Sequence, residues 1–421
     1  MSESALPADI ILGRELAHGL TWPMAWRNLW RNRRRTWLTA GGIAFATLLV
    51  TMSMALQAGS YETMIKNATG LFMGHAQISR TDYIEDGKLE QTIGNATELI
   101  RKISKLPGVL VTPRVQSFVL ASVGERSYGG LILGVDFAAE QRALNFFDRL
   151  TSGTLPVDEN EVLVGEAMAR NLGAKLGDEF VVLGTAKEGG IAALALRISG
   201  LFNSGQVEFD RAFMFTHLAT MQNGFALGDE VHTIVMQFND ADSVIERTAE
   251  IGRQLPTGLV ARTWHETLPE VVQAIALDRA SAQIMYGMIL VLVTFSVVNT
   301  FIMIVFERTR EFGMLLALGM RPWRIIRQVQ LEAMLVWLVG AIMGLVLSSM
   351  IVGYVAAVGI PLSGLEELAA QFHMDDRLYP AFSLDSLLTA PMVLLVSTQI
   401  AAFVATLQIR HLRPVEALRA E

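Results

Sequence analysis

The sequence predicts a membrane α-helical protein: four transmembrane helices, with a large α+β domain inserted between the first and second. Three observations predict it. Four long apolar runs stand at about Trp37–Leu56, Ile284–Val305, Val329–Gly359 and Leu384–Leu407, and about 18 or more apolar residues suffice to cross a bilayer as a helix. A polar, mixed-charge stretch separates the first run from the second and is long enough to form its own core. Hydrophobic residues make up 52% of the chain and charged residues 18%, with mean hydropathy +0.39, whereas soluble domains carry about 25% charged residues.

Basic residues set the expected orientation. Arg27, Arg31, Arg33, Arg34 and Arg35 precede the first run; Arg308, Arg310, Arg321, Arg324 and Arg327 lie between the second and third; Arg410, Arg413 and Arg419 follow the fourth. The segment between the third and fourth is acidic, with Glu366, Glu367, Asp375 and Asp376 against Arg377. Four spans put the basic segments on one side, the cytoplasm, with both termini, and the large domain outside. Of 34 basic and 41 acidic residues, the segments 1–37, 307–327 and 408–421 hold 14 and 7, leaving 20 basic against 34 acidic elsewhere. An acidic exterior argues against a nucleic-acid partner.

The elements then follow in order. Residues 1–36 lack a cleavable signal pattern, so the first span acts as an uncleaved anchor. Trp22, Trp26, Leu29 and Trp30 among the arginines predict an amphipathic helix in the cytoplasmic interface. The spans are placed at residues 37–58, 280–306, 327–357 and 384–407, the outer domain at 59–279, an outer loop at 358–383 and a cytoplasmic tail at 408–421. Gly59–Gly74 and Trp264–Arg279 are expected to carry the first and second spans outward as helical stalks, being poor in linker residues.

In the outer domain, strands are expected at His75–Arg80, Arg114–Val123, Gly130–Val135, Glu161–Val164, Phe180–Leu183, Leu194–Phe202, Ala212–Phe215 and His232–Phe238. Helices are expected at Ala96–Leu106, Glu166–Leu172 and Asp242–Leu255, the second stopped by Gly173. The pattern suggests two lobes divided near residues 105–115 and 235–240.

Chemistry-bearing motifs are few. Cysteine is absent, no Gly-x-x-x-x-Gly-Lys-Ser/Thr loop occurs, and the seven histidines form no metal-ligand pair. No catalytic residue, metal site or cofactor is expected on this chain. The segment of most interest is the loop at 307–326. Glu307, Arg308, Arg310 and Glu311 lead into a short apolar helix, Phe312–Leu318; Gly319 breaks it and Arg321-Pro322 restarts the chain. Two readings stay open: an element that docks in a groove of a cytoplasmic partner, or an interfacial turn.

This segment, E-R-T-R-E-F-G-M-L-L-A-L-G, resembles the E-R-x-R-E-x-G-x-L-x-A-L-G signature of the FtsX-like permeases, a family that includes MacB-type and lipoprotein-releasing permeases. Asn28-Leu29 with Arg31–Arg35, Gly165-Glu166-Ala167 through Gly177-Asp178, and Pro414-Val415-Glu416-Ala417-Leu418-Arg419 resemble three further family motifs, so the likeness runs over the whole chain. It implies a bacterial inner-membrane permease that dimerises with itself or a second permease chain and binds two copies of a separate ABC ATPase. ATP and Mg would sit on those subunits, and their hydrolysis would move the outer domains. Glu307, Arg308, Arg310, Glu311, Phe312, Gly313, Leu315, Leu316, Ala317, Gly319, Met320 and Arg321 would form the coupling helix.

Gly200-Leu201-Phe202-Asn203-Ser204-Gly205 with Glu208 and Asp210, and Gly74–Ile78, resemble the lipoprotein-releasing branch. That implies lipoprotein or other lipid-anchored cargo drawn from the outer leaflet. The short Thr185–Ala195 loop departs from the long hook hairpin of the branch's chaperone-recruiting subunit. Two alternatives remain: a MacB-like exporter with a periplasmic adaptor, and a regulator of a periplasmic hydrolase that transports nothing. Met52, Leu56, Met64, Met285 and Met288 are candidate cargo contacts, and Met52, Met54, Met64, Met73, Met285 and Met288 could together line a pliable lipid site through their flexible thioethers; ordinary lipid-facing or core methionines are the other reading.

Overall fold

A computed structural model describes residues 21–83, 87–241, 243–361, 377–407 and 409. The tail motif at Pro414–Arg419 and most of the acidic loop lie outside the described residues. The chain divides into two units: residues 62–275 with 362–376, and the remainder.

Among the described residues, four helices are long and apolar enough to cross a membrane. A short α1 (Thr21–Arg31) precedes α2 (Arg33–Ala68), the helix of the first apolar run. The other three long helices are Pro269–Glu307, Pro322–Val358 and Leu384–Thr406. Their shared core includes Ile43, Val297, Phe301, Val329, Ala333 and Ala402. The third long helix approaches α2 through Gly340 and Gly344. A Cβ on Gly340 would fall 2.7 Å from the Ala40 carbonyl oxygen, and one on Gly344 2.6 Å from Thr47 Cβ. Small residues four apart permit such contact between helix backbones in a bilayer, where lipid supplies no hydrophobic drive for helices to associate.

The other unit is built on one mixed sheet. Past Ala68 the helical ladder widens through Thr69–Met73, and Gly74 ends it. The chain then forms β1 (Ala76–Arg80), α3 (Ala96–Ile103), β2 (Val109–Val123), β3 (Arg126–Val135), α4 (Phe137–Ala143), β4 (Leu150–Gly153), β5 (Glu161–Gly165), α5 (Glu166–Leu172), β6 (Glu179–Thr185), β7 (Ile191–Phe202), α6 (Val207–Ala212), β8 (Phe213–His217), α7 (Leu218–Gly224), β9 (Thr233–Phe238), α8 (Val244–Arg253) and β10 (Leu259–Thr263). The short α9 (Trp264–Thr267), opened by a Thr263/Glu266 capping box, leads through Leu268 into α10 (Pro269–Glu307). Beyond it come α11 (Thr309–Ala317), α12 (Pro322–Val358) and α13 (Leu384–Thr406).

Strand order is β10-β1-β9-β2-β3-β8-β5-β7-β4, with β6 bridging β2 and β7. The β3/β8 and β5/β7 pairs are parallel and the other pairs antiparallel. The two-lobe expectation is corrected here. Residues 109–114 of β2 pair with β9 and residues 114–123 with β3, so the change of partner falls at Arg114, inside the expected boundary. The strand does not break there. One core holds Ile78 and Phe238 together with Val164 and Phe180, so the two sets of elements share a single sheet and core. Full burial of side chains such as Phe180, Phe215 and Phe225 contributes roughly 1.5–3 kcal/mol each.

Candidate functional site

The loop of greatest interest folds as α11, and its geometry begins with local sequence. Glu311 lies in the first turn of α11, where a negative charge is favourable, and Arg308 reaches it from three residues back at 3.0 Å. Gly319 has φ +88°, a left-handed conformation that spares only glycine strain, and it ends the element. Pro322 then occupies the first turn of α12, where a missing N–H costs nothing.

Ionic bonds fasten α11 to its neighbours. Arg308 Nη1 donates to both carboxylate oxygens of Glu332 on α12, at 3.0 and 2.9 Å, and Asn28 Nδ2 of α1 donates to the same carboxylate at 2.8 Å. Arg31 of α1 meets Glu311 at 2.7 Å. Arg35 at the start of α2 grips Glu307 at the end of α10 through two bonds, 2.7 and 2.5 Å. Partial burial works against the charge on Glu311, yet the guanidiniums of Arg31 and Arg308 hold its carboxyl below the ordinary range. Glu332 is only 6% exposed. The network thus joins α1, α2, α10, α11 and α12 around a buried carboxylate.

The twelve residues expected in the coupling helix divide into three sets. Arg308, Glu311, Phe312 and Gly313 turn toward the bundle, Phe312 being 1% exposed and lying under the Arg308 guanidinium. Leu315, Leu316 and Met320 pack partly against the same core. Glu307, Arg310, Ala317, Gly319 and Arg321 are exposed. The exposed apolar tip is made by residues that sequence reasoning did not single out: Met314, Leu318 and Trp323, at 53%, 80% and 63% exposure, beside Arg324. Asn28 and Glu332 were also missed. The available signal was a lone acidic residue inside the apolar run of α12.

A second feature of the helical unit is a cavity of roughly 510 Å³ among α2, α10 and α13. Its lining includes Val50, Met54, Ala58, Tyr286, Leu290 and Val393. At its polar side, Gln57 Nε2 and Tyr61 Oη donate to Asp278 Oδ2 at 2.8 and 2.7 Å. Asp278 is therefore held by specific partners.

The structure does not bring the five candidate cargo residues together here. Met52 and Leu56 are half-buried on α2, and Met285 and Met288 are exposed on α10; none of these four lines the cavity, whereas Met54 of the wider methionine set does. Helical phase is the reason. Cavity-facing positions on α10 are Arg279, Gln283, Tyr286, Gly287, Ile289 and Leu290, an arc of the helix that leaves 285 and 288 outside it. Met64 is buried in the sheet-based unit and lines a different cavity there.

The apolar helices, the inserted mixed-sheet domain and the ionically fastened α11 define a membrane permease. Residues 284–414 match the FtsX-like permease C-terminal model and residues 36–254 the MacB-like periplasmic core domain model. The chain belongs to the FtsX-like, MacB-type permeases of ABC transporters. The lipoprotein-releasing system transmembrane protein LolC of Neisseria meningitidis is 21% identical over 92% of this chain and 94% of its own length. The pyoverdine export ATP-binding/permease protein PvdT of Pseudomonas entomophila is 24% identical over 94% of this chain but 59% of its own length. The macrolide export ATP-binding/permease protein MacB of Nitrosomonas europaea is 25% identical over 77% of this chain and 50% of its own. Among solved structures, the periplasmic region of MacB from Actinobacillus actinomycetemcomitans aligns with TM-score 0.37 and 16% identity, covering 50% of this chain and 97% of that one.

Proposed function

We propose that the chain works as the permease subunit of an ABC transporter that extracts lipoprotein or other lipid-anchored cargo from the outer leaflet of the inner membrane. Hydrolysis is supplied by a separate ATPase, two copies of which, carrying ATP and Mg, serve a permease dimer. The termini and α11 face the cytoplasm, and the sheet-based domain faces the periplasm. The observation that carries this reading is α11. An exposed tip of Met314, Leu318 and Trp323 among Arg310, Arg321 and Arg324 suits an apolar groove with an acidic rim. The ionic bonds behind it give that tip a fixed place, which a docking element needs in order to transmit force.

The lipid-anchored cargo is favoured by the apolar cavity among α2, α10 and α13 and by the length of LolC that this chain covers. The hairpin between β6 and β7 turns through Ala186–Gly190 alone, with Gly189 N–H bonded to the Ala186 carbonyl at 2.9 Å. So short a hairpin favours a subunit that leaves chaperone recruitment to its partner.

The test is co-purification of the ATPase with Leu318→Asp, whose side chain touches little of its own chain. We expect loss of the ATPase with normal membrane insertion. Retention with normal coupling would overturn the docking assignment. Mass spectrometry of the wild-type complex in mild detergent then decides the cargo: bound triacylated lipoprotein supports extraction, whereas an adaptor or hydrolase with bulk phospholipid alone refutes it.

A further inference from the structure

The sheet-based domain holds its own cavity, of roughly 740 Å³, within the about 300–1,000 Å³ typical of small-molecule sites. One wall is Met64–Met73 and another Thr267–Ala274, the segments by which the chain leaves the first apolar helix and rejoins the second. Leu131, Phe146, Phe209 and Phe213 supply the rest of the apolar surface. Phe72 sits among these rings, edge-on to Phe146, Phe209 and Phe213 at 5.9, 5.4 and 5.9 Å.

Two buried polar groups line this apolar space. Arg114, 3% exposed, stacks its guanidinium 4.0 Å from the centre of the Phe72 ring. Its Nε and Nη2 donate to Glu140 at 2.6 and 2.8 Å, while Nη1 has no hydrogen-bond partner among the described residues. The Tyr83 hydroxyl, with Gln116 as polar neighbour, completes no hydrogen bond of standard geometry among the described residues. The Tyr83 hydroxyl is thus a buried donor without an acceptor, which is rare and asks for an explanation.

Charge narrows the ligand. Glu140 neutralises Arg114, and Glu270 also lines the cavity. A free carboxylate or phosphate would meet no net positive charge there. An uncharged acceptor is what the two spare donors fit. The geometry points to a binding site, inside the periplasmic domain, for a fatty-acyl chain attached through an ester or amide: the chain lies among Phe72, Leu131, Phe209 and Phe213, and its carbonyl oxygen accepts from Arg114 and Tyr83. The acyl chain can come from a membrane phospholipid or from a lipid-modified protein. The site deepens the reading of lipid-anchored cargo and rests on it only in the second case.

The test uses the full-length chain in nanodiscs with two photoreactive probes. One is phosphatidylethanolamine with a diazirine in an acyl chain; the other is a synthetic triacylated lipopeptide with the same label. Cross-linked peptides are mapped by mass spectrometry. We expect adducts on peptides containing Phe72, Leu131 or Phe209–Phe213, at least fivefold reduced in Leu131→Trp and in Gln116→Trp, two cavity-filling changes on different strands. Adducts with both probes assign a general acyl site, and adducts with the lipopeptide alone assign a cargo site. Adducts confined to the apolar helices with both probes overturn the proposal while leaving cargo binding among those helices intact. Domain adducts undiminished in both folded variants overturn it as well.

Discussion

Replacing Arg308 by Met tests the claim that a buried carboxylate holds the docking element in place. The change removes both Nη1 bonds to Glu332 and the Nε bond to Glu311. The Arg308 and Glu332 side chains are 15% and 8% exposed, so the lost cation leaves a largely buried carboxylate. Breaking such a pair from one side costs about 3–5 kcal/mol. Asn28 still donates to Glu332, which places the expected loss near the lower figure, about 3 kcal/mol. Arg308→Met with Glu332→Met leaves no buried charge and should recover most of that loss, since apolar replacements of similar volume are often neutral. Unfolding of the purified chain in mixed micelles, for wild type, both single variants and the double variant, yields the coupling energy directly. A value of about 2 kcal/mol is expected. A double variant as unstable as the sum of the singles would refute the reasoning.

Three further outcomes are expected. Leu316→Asp should lower stability as well as ATPase binding, because Leu316 packs against the bundle core; melting temperature separates it from Leu318→Asp, which should melt like wild type. Gly340→Leu or Gly344→Leu should destabilise the helical unit by about 1–3 kcal/mol through overpacking against α2, whereas Gly353→Leu, with open space at its Cβ, should not; thermal unfolding in detergent reads the difference. The periplasmic domain should weaken in acid through His232. Its Nδ1 accepts from Gln116 N–H and its Nε2 donates to the Leu89 carbonyl, and burial pushes its pKa down to about 4. The unfolded chain therefore binds the extra proton between about pH 6.5 and 4, and stability is full above that window and falls by about 3 kcal/mol across it. Melts of wild type and His232→Gln over this range should show the slope reduced in the variant; an unchanged slope would count against the assignment.

The long helices were legible because a bilayer-length apolar run is a collective signal that no single residue can disturb. The strands seen in sequence, such as Phe180–Leu183, are β-branched or aromatic runs; Leu150–Gly153 escaped notice because Leu-Thr-Ser-Gly carries little of that signal. The continuity of the domain was not legible. Strand β2 changes partner at Arg114 without any local mark, since pairing depends on residues more than a hundred positions away. In α11 the motif was plain, but its faces were not. Phe312 and Leu318 are equally apolar, and only packing against α10 and α12 decides that one is buried and the other exposed. Which methionines face a cavity was not legible either, because helical phase and not side-chain chemistry selects them: Met54 lines the cavity among α2, α10 and α13, and Met64 and Met73 line the one in the sheet-based domain.

The ties between α2 and α10 bear on how motion would travel. These helices run for 36 and 39 residues, about 54 and 58 Å at 1.5 Å per residue, against a hydrocarbon core of about 30 Å. They are fastened twice: Arg35 to Glu307 at one end, and Gln57 with Tyr61 to Asp278 toward the other. Two long rods joined near both ends resist sliding past each other, so a tilt imposed at α11 would move them as a pair. The breaks in helical geometry lie beyond the second tie, at Thr69–Met73 and at Leu268. The chain has no cysteine, so Gln57→Cys with Asp278→Cys can be bridged by a short bismaleimide without background labelling. ATP turnover and cargo release should survive that bridge if the pair moves as one. Loss of release with turnover intact would show that the helices must part, and the paired-rod argument would fall.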